Sequence, residues 1–255
     1  MTQILRIHIS WFLTNSLESY PNLRDLTILR EKCALPINFG ILLPKTLEYF
    51  NCTNCDFITL PELPSGIKEL HCGMNKLSSL PNLPNGLTKL YCPHNNITEL
   101  PDLPDTLERL DCSYNQLARL DILPRTLRIL WCQNNQICVL LYLPKRLELL
   151  NCSSNKLVRL PILPQTLERL YCEQNRLTIL PNLPYNMFAC DCSENRIRRL
   201  PAIPHRMITI ITEGYDYDGY LRQYYEYNNF NCSKNPCSSF YCFVSDMKRR
   251  LFGET

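Results

Sequence analysis

The sequence repeats with a period of twenty residues, and this period constrains the fold more than any other feature. The middle copies show it best, with LPNLPNGLTKLYCPHNNITE from Leu80 and LPDLPDTLERLDCSYNQLAR from Leu100. At twenty-residue steps, leucine runs from Leu60 to Leu200, proline from Pro64 to Pro204, cysteine from Cys52 to Cys192 and asparagine from Asn75 to Asn195. A fixed period of about 20 to 50 residues indicates a solenoid, in which each coil buries its apolar side chains against its neighbours.

A short strand is predicted once in every unit. In ELHC, at residues 69–72, polar and apolar residues alternate. This period of two predicts a strand with Leu70 and Cys72 directed inward and with Glu69, His71 and Gly73 directed outward. Successive strands are expected to pair in parallel, about 4.8 Å apart.

The rest of each unit returns the chain to the start of the next strand. The return segment reads LPNLP at residues 80–84. It cannot form an α-helix because its prolines lack N–H donors and restrict the residue before them. We therefore predict an extended, polyproline-II-like return. The fold class that follows is an α/β repeat solenoid: a curved horseshoe with a parallel β-sheet on its concave face, an extended convex side and small helical caps.

Asparagine and cysteine have structural explanations. The asparagine of each C-x-x-N stands where the chain leaves the strand, and a buried carboxamide there offers two donors and an acceptor to backbone groups of neighbouring coils. Nine of the fifteen cysteines, the eight from Cys52 to Cys192 and Cys232, share one inward position, which favours buried, reduced thiols. Cys55 forms C-x-x-C with Cys52, but no further ligands of suitable spacing are near, so no metal is expected.

The repeat wording also carries a family resemblance. The pattern L-x-x-L-x-C-x-x-N-x-L, carried by Leu87, Leu90, Cys92, Asn95 and Ile97, resembles the leucine-rich repeat signature with cysteine in place of one leucine. The short L-P-x-L-P return is similar to that of bacterial effectors of the YopM and IpaH families, and the cysteine-bearing repeats resemble those of giant DNA viruses. The resemblance covers about residues 41 to 207. It implies a horseshoe that binds another protein. Ligase activity is not expected, since the Cys-x-Asp motif of the IpaH ubiquitin ligases is missing here.

The net charge of the chain does not indicate a particular class of partner. A net charge of +3, from 27 basic and 24 acidic residues, gives no strong attraction to nucleic acid or to an anionic membrane. We therefore expect no nucleic-acid or membrane partner. We expect a monomer that binds another protein. The apolar stretch 4–13 is interrupted by Arg6 and His8, is too short to span a bilayer and lacks a cleavage site. Together with reduced thiols, this predicts a cytoplasmic protein, in the host cell if the chain is viral.

The outward strand positions form the predicted binding surface. Aromatic residues and arginine are enriched in protein–protein hot spots. On this basis the candidate contact residues are Tyr91, Arg109, Asp111, Trp131, Arg169 and Tyr171. Trp131 is the sharpest candidate, because Ile129 and Leu149 beside it form an apolar patch that Arg109 and Arg169 flank. The alternative is that tyrosine and tryptophan merely suit strands and cover neighbouring backbone.

No enzymatic motif is present. The sequence lacks a glycine-rich phosphate loop, H-E-x-x-H and G-x-S-x-G, and the cysteines in register are expected to face the core. We therefore predict no catalytic, cofactor-binding or metal-binding residues and an interaction scaffold rather than an enzyme. Two alternatives stay open. One is a substrate adaptor of a ubiquitin ligase, recruited through the N-terminal segment, and the other is a catalytic cysteine outside the register, Cys138 or Cys237.

Three regions are predicted along the chain: an N-terminal cap at 1–22, a solenoid at 23–211 and a degenerate repeat with a helical cap at 212–255. In the cap, the alternation from Leu5 to Trp11 indicates a strand and residues 12–20 a helical turn. The first, looser repeat at Leu23-x-x-Leu26-x-Ile28 is followed by a 24-residue step to Phe50.

The C-terminal end departs from the period and then rejoins it. Met207 and Ile210 keep leucine positions, a tyrosine-rich stretch follows at 212–229, and NCSKN at 231–235 returns to the phase. The tyrosine-rich stretch is either a cap or a partner-binding segment. Residues 240–252 suit an amphipathic closing helix. Cys232, Cys237 and Cys242 are either free or joined in a metal or disulfide cluster.

Overall fold

A computed structural model of the chain describes residues 3–8, 16–30, 42–202, 204, 230–231 and 235. Its strands form one parallel sheet in sequence order. Two longer strands come first, β1 (Gln3–His8) and β2 (Leu23–Leu29). Eight strands of three residues follow, β3 to β10: Tyr49–Asn51, Glu69–His71, Lys89–Tyr91, Arg109–Asp111, Ile129–Trp131, Leu149–Asn151, Arg169–Tyr171 and Ala189–Asp191. The last described strand is β11 (Phe230–Asn231).

The strands pair with the period that the sequence predicts. From β3 to β10 each residue pairs with the residue twenty positions later, as in Leu90 with Leu110 and Leu110 with Leu130. The predicted 24-residue step is also confirmed, because Leu26 pairs with Phe50. The chain is thus a solenoid with one strand per coil, and the predicted parallel sheet is confirmed.

The core is a column of leucines and thiols inside the coils. Leu70, Leu90, Leu110, Leu130, Leu150 and Leu170, at the middle of their strands, are fully buried, and so are the in-register cysteines from Cys52 to Cys172. The predicted inward positions are therefore confirmed. Gly73 is buried as well, whereas we expected it to point outward. The chain is tight there because a Cβ on Gly73 would lie 2.9 Å from Cδ of Pro93.

A left-handed residue turns the chain at the end of most strands. The residue before each ladder asparagine has a positive φ, between 52° and 55°, from Met74 to Glu194. Such a conformation costs a non-glycine residue free energy. The repeat tolerates this cost because the following asparagine holds the turn.

The predicted asparagine ladder is confirmed. Asn135 lies across two coils: its Nδ2 donates to the carbonyl oxygens of Cys112 and Cys132, at 3.0 and 3.1 Å. Its Oδ1 accepts from the backbone N–H of Leu117, at 2.9 Å. Every described member from Asn75 to Asn195 repeats this pattern. Buried polar groups of the turns are thus satisfied by side chains from the next coil.

The two ends of the sheet refine the predictions. At the N-terminus the expected strand is found over Gln3–His8, where it adds a further strand beside β2, and the expected helical turn is a 3-10 helix over Leu17–Ser19. At the other end β10 pairs directly with β11, since the backbone of Cys190 is in register with that of Phe230, forty residues later. Asn235 then donates to the Cys192 carbonyl at 2.8 Å, so the predicted return to phase at 231–235 is confirmed.

Helix contributes almost nothing to the described part of the chain. The return segments contain no helix, in agreement with their prolines. The predicted closing helix at 240–252, the tyrosine-rich stretch 212–229 and the leucine positions Met207 and Ile210 lie outside the described residues. In the described part, no helix is long and apolar enough to cross a membrane.

Candidate protein-binding surface

Two columns of side chains cover the concave face of the sheet. We name them by their place in the three-residue strands. The first column is Tyr49, Glu69, Lys89, Arg109, Ile129, Leu149, Arg169 and Ala189. The second column is Asn51, His71, Tyr91, Asp111, Trp131, Asn151, Tyr171 and Asp191. All are half-buried except Arg109, which is exposed, because strands stacked so closely cover part of each side chain.

The centre of the face is apolar. Ile129 and Leu149 are paired neighbours in the first column, and Trp131 shares the strand of Ile129. Arg109 precedes Ile129 in that column and Arg169 follows Leu149. The sequence prediction of an apolar patch between two arginines therefore matches the register of the sheet. An indole beside two aliphatic side chains offers a large, rigid contact area that loses little entropy on binding.

Arg169 is held in place by a ring. Its guanidinium carbon lies 5.0 Å from the centroid of the Phe188 ring, which is the geometry of a cation–π contact. Phe188 comes from the loop that leads into β10. A guanidinium oriented in this way keeps its donors available to a carboxylate or carbonyl of a partner.

The N-terminal half of the face carries a cluster that sequence reasoning missed. His71, which the alternation predicts only to point outward, stacks on Tyr91 with ring centroids 4.5 Å apart, and its ring centroid lies 5.2 Å from that of Tyr49. Its Nε2 lies 2.7 Å from Glu69, whose other oxygen accepts from Lys89 at 2.8 Å. Burial raises the pKa of Glu69, but the hydrogen bonds from Lys89 and His71 outweigh it, so the pKa is lowered. Stacking on His71 therefore accounts for the position of the Tyr91 ring without a binding partner.

Asp111 has a local role that the sequence could have revealed. Its Oδ1 accepts hydrogen bonds from the Ser113 N–H at 3.0 Å and from the Ser113 hydroxyl at 2.6 Å. Asn151 with Ser153 and Asp191 with Ser193 repeat the arrangement. The signal is the wording D/N-C-S, because short polar side chains cap the turn two residues on. Burial raises the pKa of Asp111, although the hydrogen bonds from Ser113 oppose it.

Tyr171 completes the set of candidates and lies in the second column between Asn151 and Asp191. The structure therefore brings Trp131, Arg109 and Arg169 together around one patch, with Tyr171 one strand beyond Asn151. Tyr91 and Asp111 stand on the N-terminal side of the patch, where each has intramolecular partners.

The thiols are arranged for packing. Burial raises the pKa of Cys52, Cys72, Cys92, Cys112 and Cys152 well above the usual thiol range, which keeps them protonated and unreactive. Cys55, in the first ladder position, is also buried, and burial together with Asp56 raises its pKa to about 11. Among the described cysteines only Cys138 is exposed. Within the described ranges no cluster of His, Cys, Asp or Glu is suited to a metal ion, and Cys232, Cys237 and Cys242 lie outside them.

These features define a leucine-rich repeat protein with short repeats of the bacterial-effector type. The chain superposes on YopM from Yersinia enterocolitica with a TM-score of 0.62 and 37% sequence identity, over 73% of this chain and 45% of YopM. It is similar to the Yersinia pestis YopM with a TM-score of 0.61 and 28% identity, over 74% of this chain and 59% of that one. The chain thus spans about half the length of these effectors.

A third similar structure shares the cysteine feature. The functional domain of InlJ from Listeria monocytogenes, described as including a cysteine ladder, matches with a TM-score of 0.59 and 25% identity over 71% of this chain and 46% of InlJ. Comparisons with protein-family profiles and with curated proteins gave no match. The similarity to known proteins therefore rests on solved structures that share the fold and the short repeat.

Proposed function

We propose that the protein is a non-enzymatic scaffold that binds another protein on its concave face. The observation that carries the proposal is the patch of Trp131, Ile129 and Leu149 between Arg109 and Arg169, displayed on an in-register sheet. Leucine-rich repeat folds of this kind are shared with effector and interaction proteins. A rigid sheet presents its side chains without an ordering cost, and tryptophan and arginine contribute most of the binding energy at many interfaces.

Mutation of the patch tests the proposal. Trp131→Ala combined with Tyr171→Ala is expected to weaken capture of the partner from cell lysate by a factor on the order of 100, since truncating a hot-spot aromatic costs about 2 kcal/mol or more. Quantitative mass spectrometry after affinity capture measures the loss. The matched control is Tyr142→Ala with Tyr185→Ala, which removes two aromatic rings that are 45% and 72% exposed, one on a return segment and one in the turn before β10. Equal capture by the patch variant and the wild type, or equal loss in the control, would contradict the proposal.

A host-directed role in a virus or pathogen belongs to the same proposal. It is supported by the similarity to a leucine-rich effector protein of Yersinia pestis and by the free cysteines of the described residues, which suit a reducing cytoplasm. Alkylation of the protein inside cells, before lysis, would test the location. Rapid labelling of Cys138 is expected in the cytoplasm, whereas a Cys138 found oxidised would contradict it.

The ubiquitin-ligase adaptor remains an alternative prediction without a specific structural observation in its favour. Residues 3–8 of the segment that would recruit the ligase are part of the sheet. Co-purification of ligase subunits with the full chain is the measurement that would support this alternative.

A further inference from the structure

The outer flank of the coils, between the asparagine ladder and the return segments, changes character along the solenoid. Its outward residues in the coil of Asn95 include Glu99 and Asp102, and in the next coil Asp121. The coil of Asn135 presents an uncharged flank with Val139 and Leu141. In the last three described coils the flank has no acidic residue and presents six basic ones, Lys156, Arg159, Arg176, Arg196, Arg198 and Arg199.

Within the described ranges these six cations have no counter-charge. All are exposed, and among the described residues none lies within ion-pairing distance of a carboxylate. Lys156 donates only to the side-chain oxygen of Gln136, at 3.0 Å. Basic side chains near the sheet behave differently, as Lys68 pairs with Glu48 at 2.8 Å and Arg128 with Glu148 at 2.8 Å. The net charge of the chain therefore conceals a local excess of positive charge on one surface.

Backbone hydrogen bonds hold the cations in rows. The N–H groups of Lys156, Arg176 and Arg196 donate to the carbonyl oxygens of the preceding coils, at 2.8 to 2.9 Å. Arg199 also pairs with Ile179 in an isolated parallel bridge. Coils in such register lie about 4.8 Å apart, so the six charges share a small area whose backbone is already ordered.

Aliphatic side chains stand among the cations. Val158, Ile162 and Ile179 are 53%, 90% and 60% exposed, and Leu141, in the adjacent coil, is 71% exposed. Ile162 occupies a repeat position where other coils have Asn82 or Asp102. Leu141 and Ile162 also border an open apolar hollow of about 770 Å³. Exposing a cluster of aliphatic side chains to water is unfavourable in free energy unless another apolar phase covers them.

We propose that this basic–aliphatic flank, defined by the six cations with Val158, Ile162 and Ile179, docks on the surface of an anionic lipid bilayer. The cations attract acidic headgroups, and the aliphatic side chains enter the boundary between headgroups and acyl chains. Nucleic acid is a poorer match, because the phosphates of a duplex offer no apolar phase to the aliphatic side chains and the bases of a single strand bind by stacking on aromatic rings. The flank lies outside the concave face, so a membrane-bound scaffold keeps that face open to its protein partner.

This inference revises the expectation that the protein avoids membranes. That expectation used the net charge of +3, in which paired and unpaired charges count alike. The relevant quantity for a surface is the local unpaired charge, since interactions beyond about 8 Å are largely screened at physiological salt.

Vesicle co-sedimentation of the full chain tests the inference. The wild type is expected to bind phosphatidylcholine vesicles that contain phosphatidylserine and not those of phosphatidylcholine alone, with binding lost at high salt. Arg176→Gln, Arg196→Gln and Arg199→Gln together are expected to weaken binding on the order of 100-fold, at about fivefold for each basic side chain. Ile162→Ser with Ile179→Ser is expected to weaken it severalfold without changing the salt dependence.

The control removes the same charge elsewhere. Lys45→Gln, Arg125→Gln and Arg146→Gln alter three exposed residues in the turns that precede the strands. Retained vesicle binding by this control supports the inference that the basic–aliphatic flank is the membrane-binding surface. Equal loss of binding in both triple variants overturns the inference. The inference is also overturned if the wild type binds no vesicles, or binds only RNA or an acidic peptide such as polyglutamate. Because Trp131→Ala leaves the flank intact, failure of the concave-face proposal would not affect this result.

Discussion

At the scale of single residues, the ladder asparagine donates and accepts hydrogen bonds across two coils through one short side chain. The Asn135 amide donates to Cys112 and Cys132 carbonyls while its oxygen accepts from Leu117. An aspartate would lack the donors and a leucine would lack both functions. The sequence was sufficient to predict this role, because a polar residue repeated at one buried position requires repeated partners.

The ladder gives a mutational prediction. Asn135→Ala leaves two buried carbonyl groups and one buried N–H with fewer partners, so the free energy of unfolding should fall by about 3 kcal/mol. Chemical denaturation followed by circular dichroism measures the difference. Gln116→Ala, at an exposed position just after a ladder asparagine, is the control and should change stability by less than about 0.5 kcal/mol. Similar effects of the two substitutions would show that Asn135 is not a structural bridge.

At the scale of the element, the strand and its turn show which features a sequence can reveal. Alternation in residues 69–72 was enough to place Leu70 and Cys72 in the core. It was not enough for Gly73, whose burial depends on Pro93 in the next coil, or for His71, whose stacking depends on Tyr91. Inward positions follow from the period alone, whereas contacts between coils depend on which residues the register brings together.

The thiol column predicts an unusual response to alkaline pH. Folded thiols such as Cys112 and Cys152 have raised pKa values, so above pH 9 the unfolded chain loses protons that the folded chain retains. Stability is fully present below the unfolded pKa and is lost as pH rises above it, by about 1.4 kcal/mol per pH unit for each buried thiol. Thermal melting at about pH 8, 9 and 10 measures this loss.

The matched variant replaces Cys112, Cys132 and Cys152 by alanine. It should start less stable at neutral pH, because three small cavities form. Between pH 9 and 10 its stability should fall by about 3 kcal/mol less than that of the wild type, since three thiols, each worth about 1 kcal/mol over this range, no longer contribute. Parallel pH curves for the two proteins would refute the assignment of the alkaline sensitivity to this column.

At the scale of the whole molecule, the solenoid separates two surfaces. The concave face presents Trp131 and the two arginines, while the outer flank presents unpaired cations and exposed aliphatic side chains. The sequence predicted the first surface, because outward strand positions can be read from alternation. It did not predict the second, because only the stacked coils show that no described carboxylate lies within ion-pairing distance of Arg176 or Arg196.

The central claim is that the chain is a stack of interchangeable twenty-residue coils in register, and deletion of whole coils tests it most directly. Removing residues 81–100 joins Leu80 to Pro101 and preserves the wording of the repeat. Removing only residues 81–90 joins Leu80 to Tyr91 and shifts every later residue by half a coil. Nearest-neighbour stacking predicts that the first variant melts cooperatively, at a somewhat lower temperature, and that the second fails to fold. Equal unfolding of both variants, or equal tolerance of both, in melts followed by circular dichroism would contradict the account.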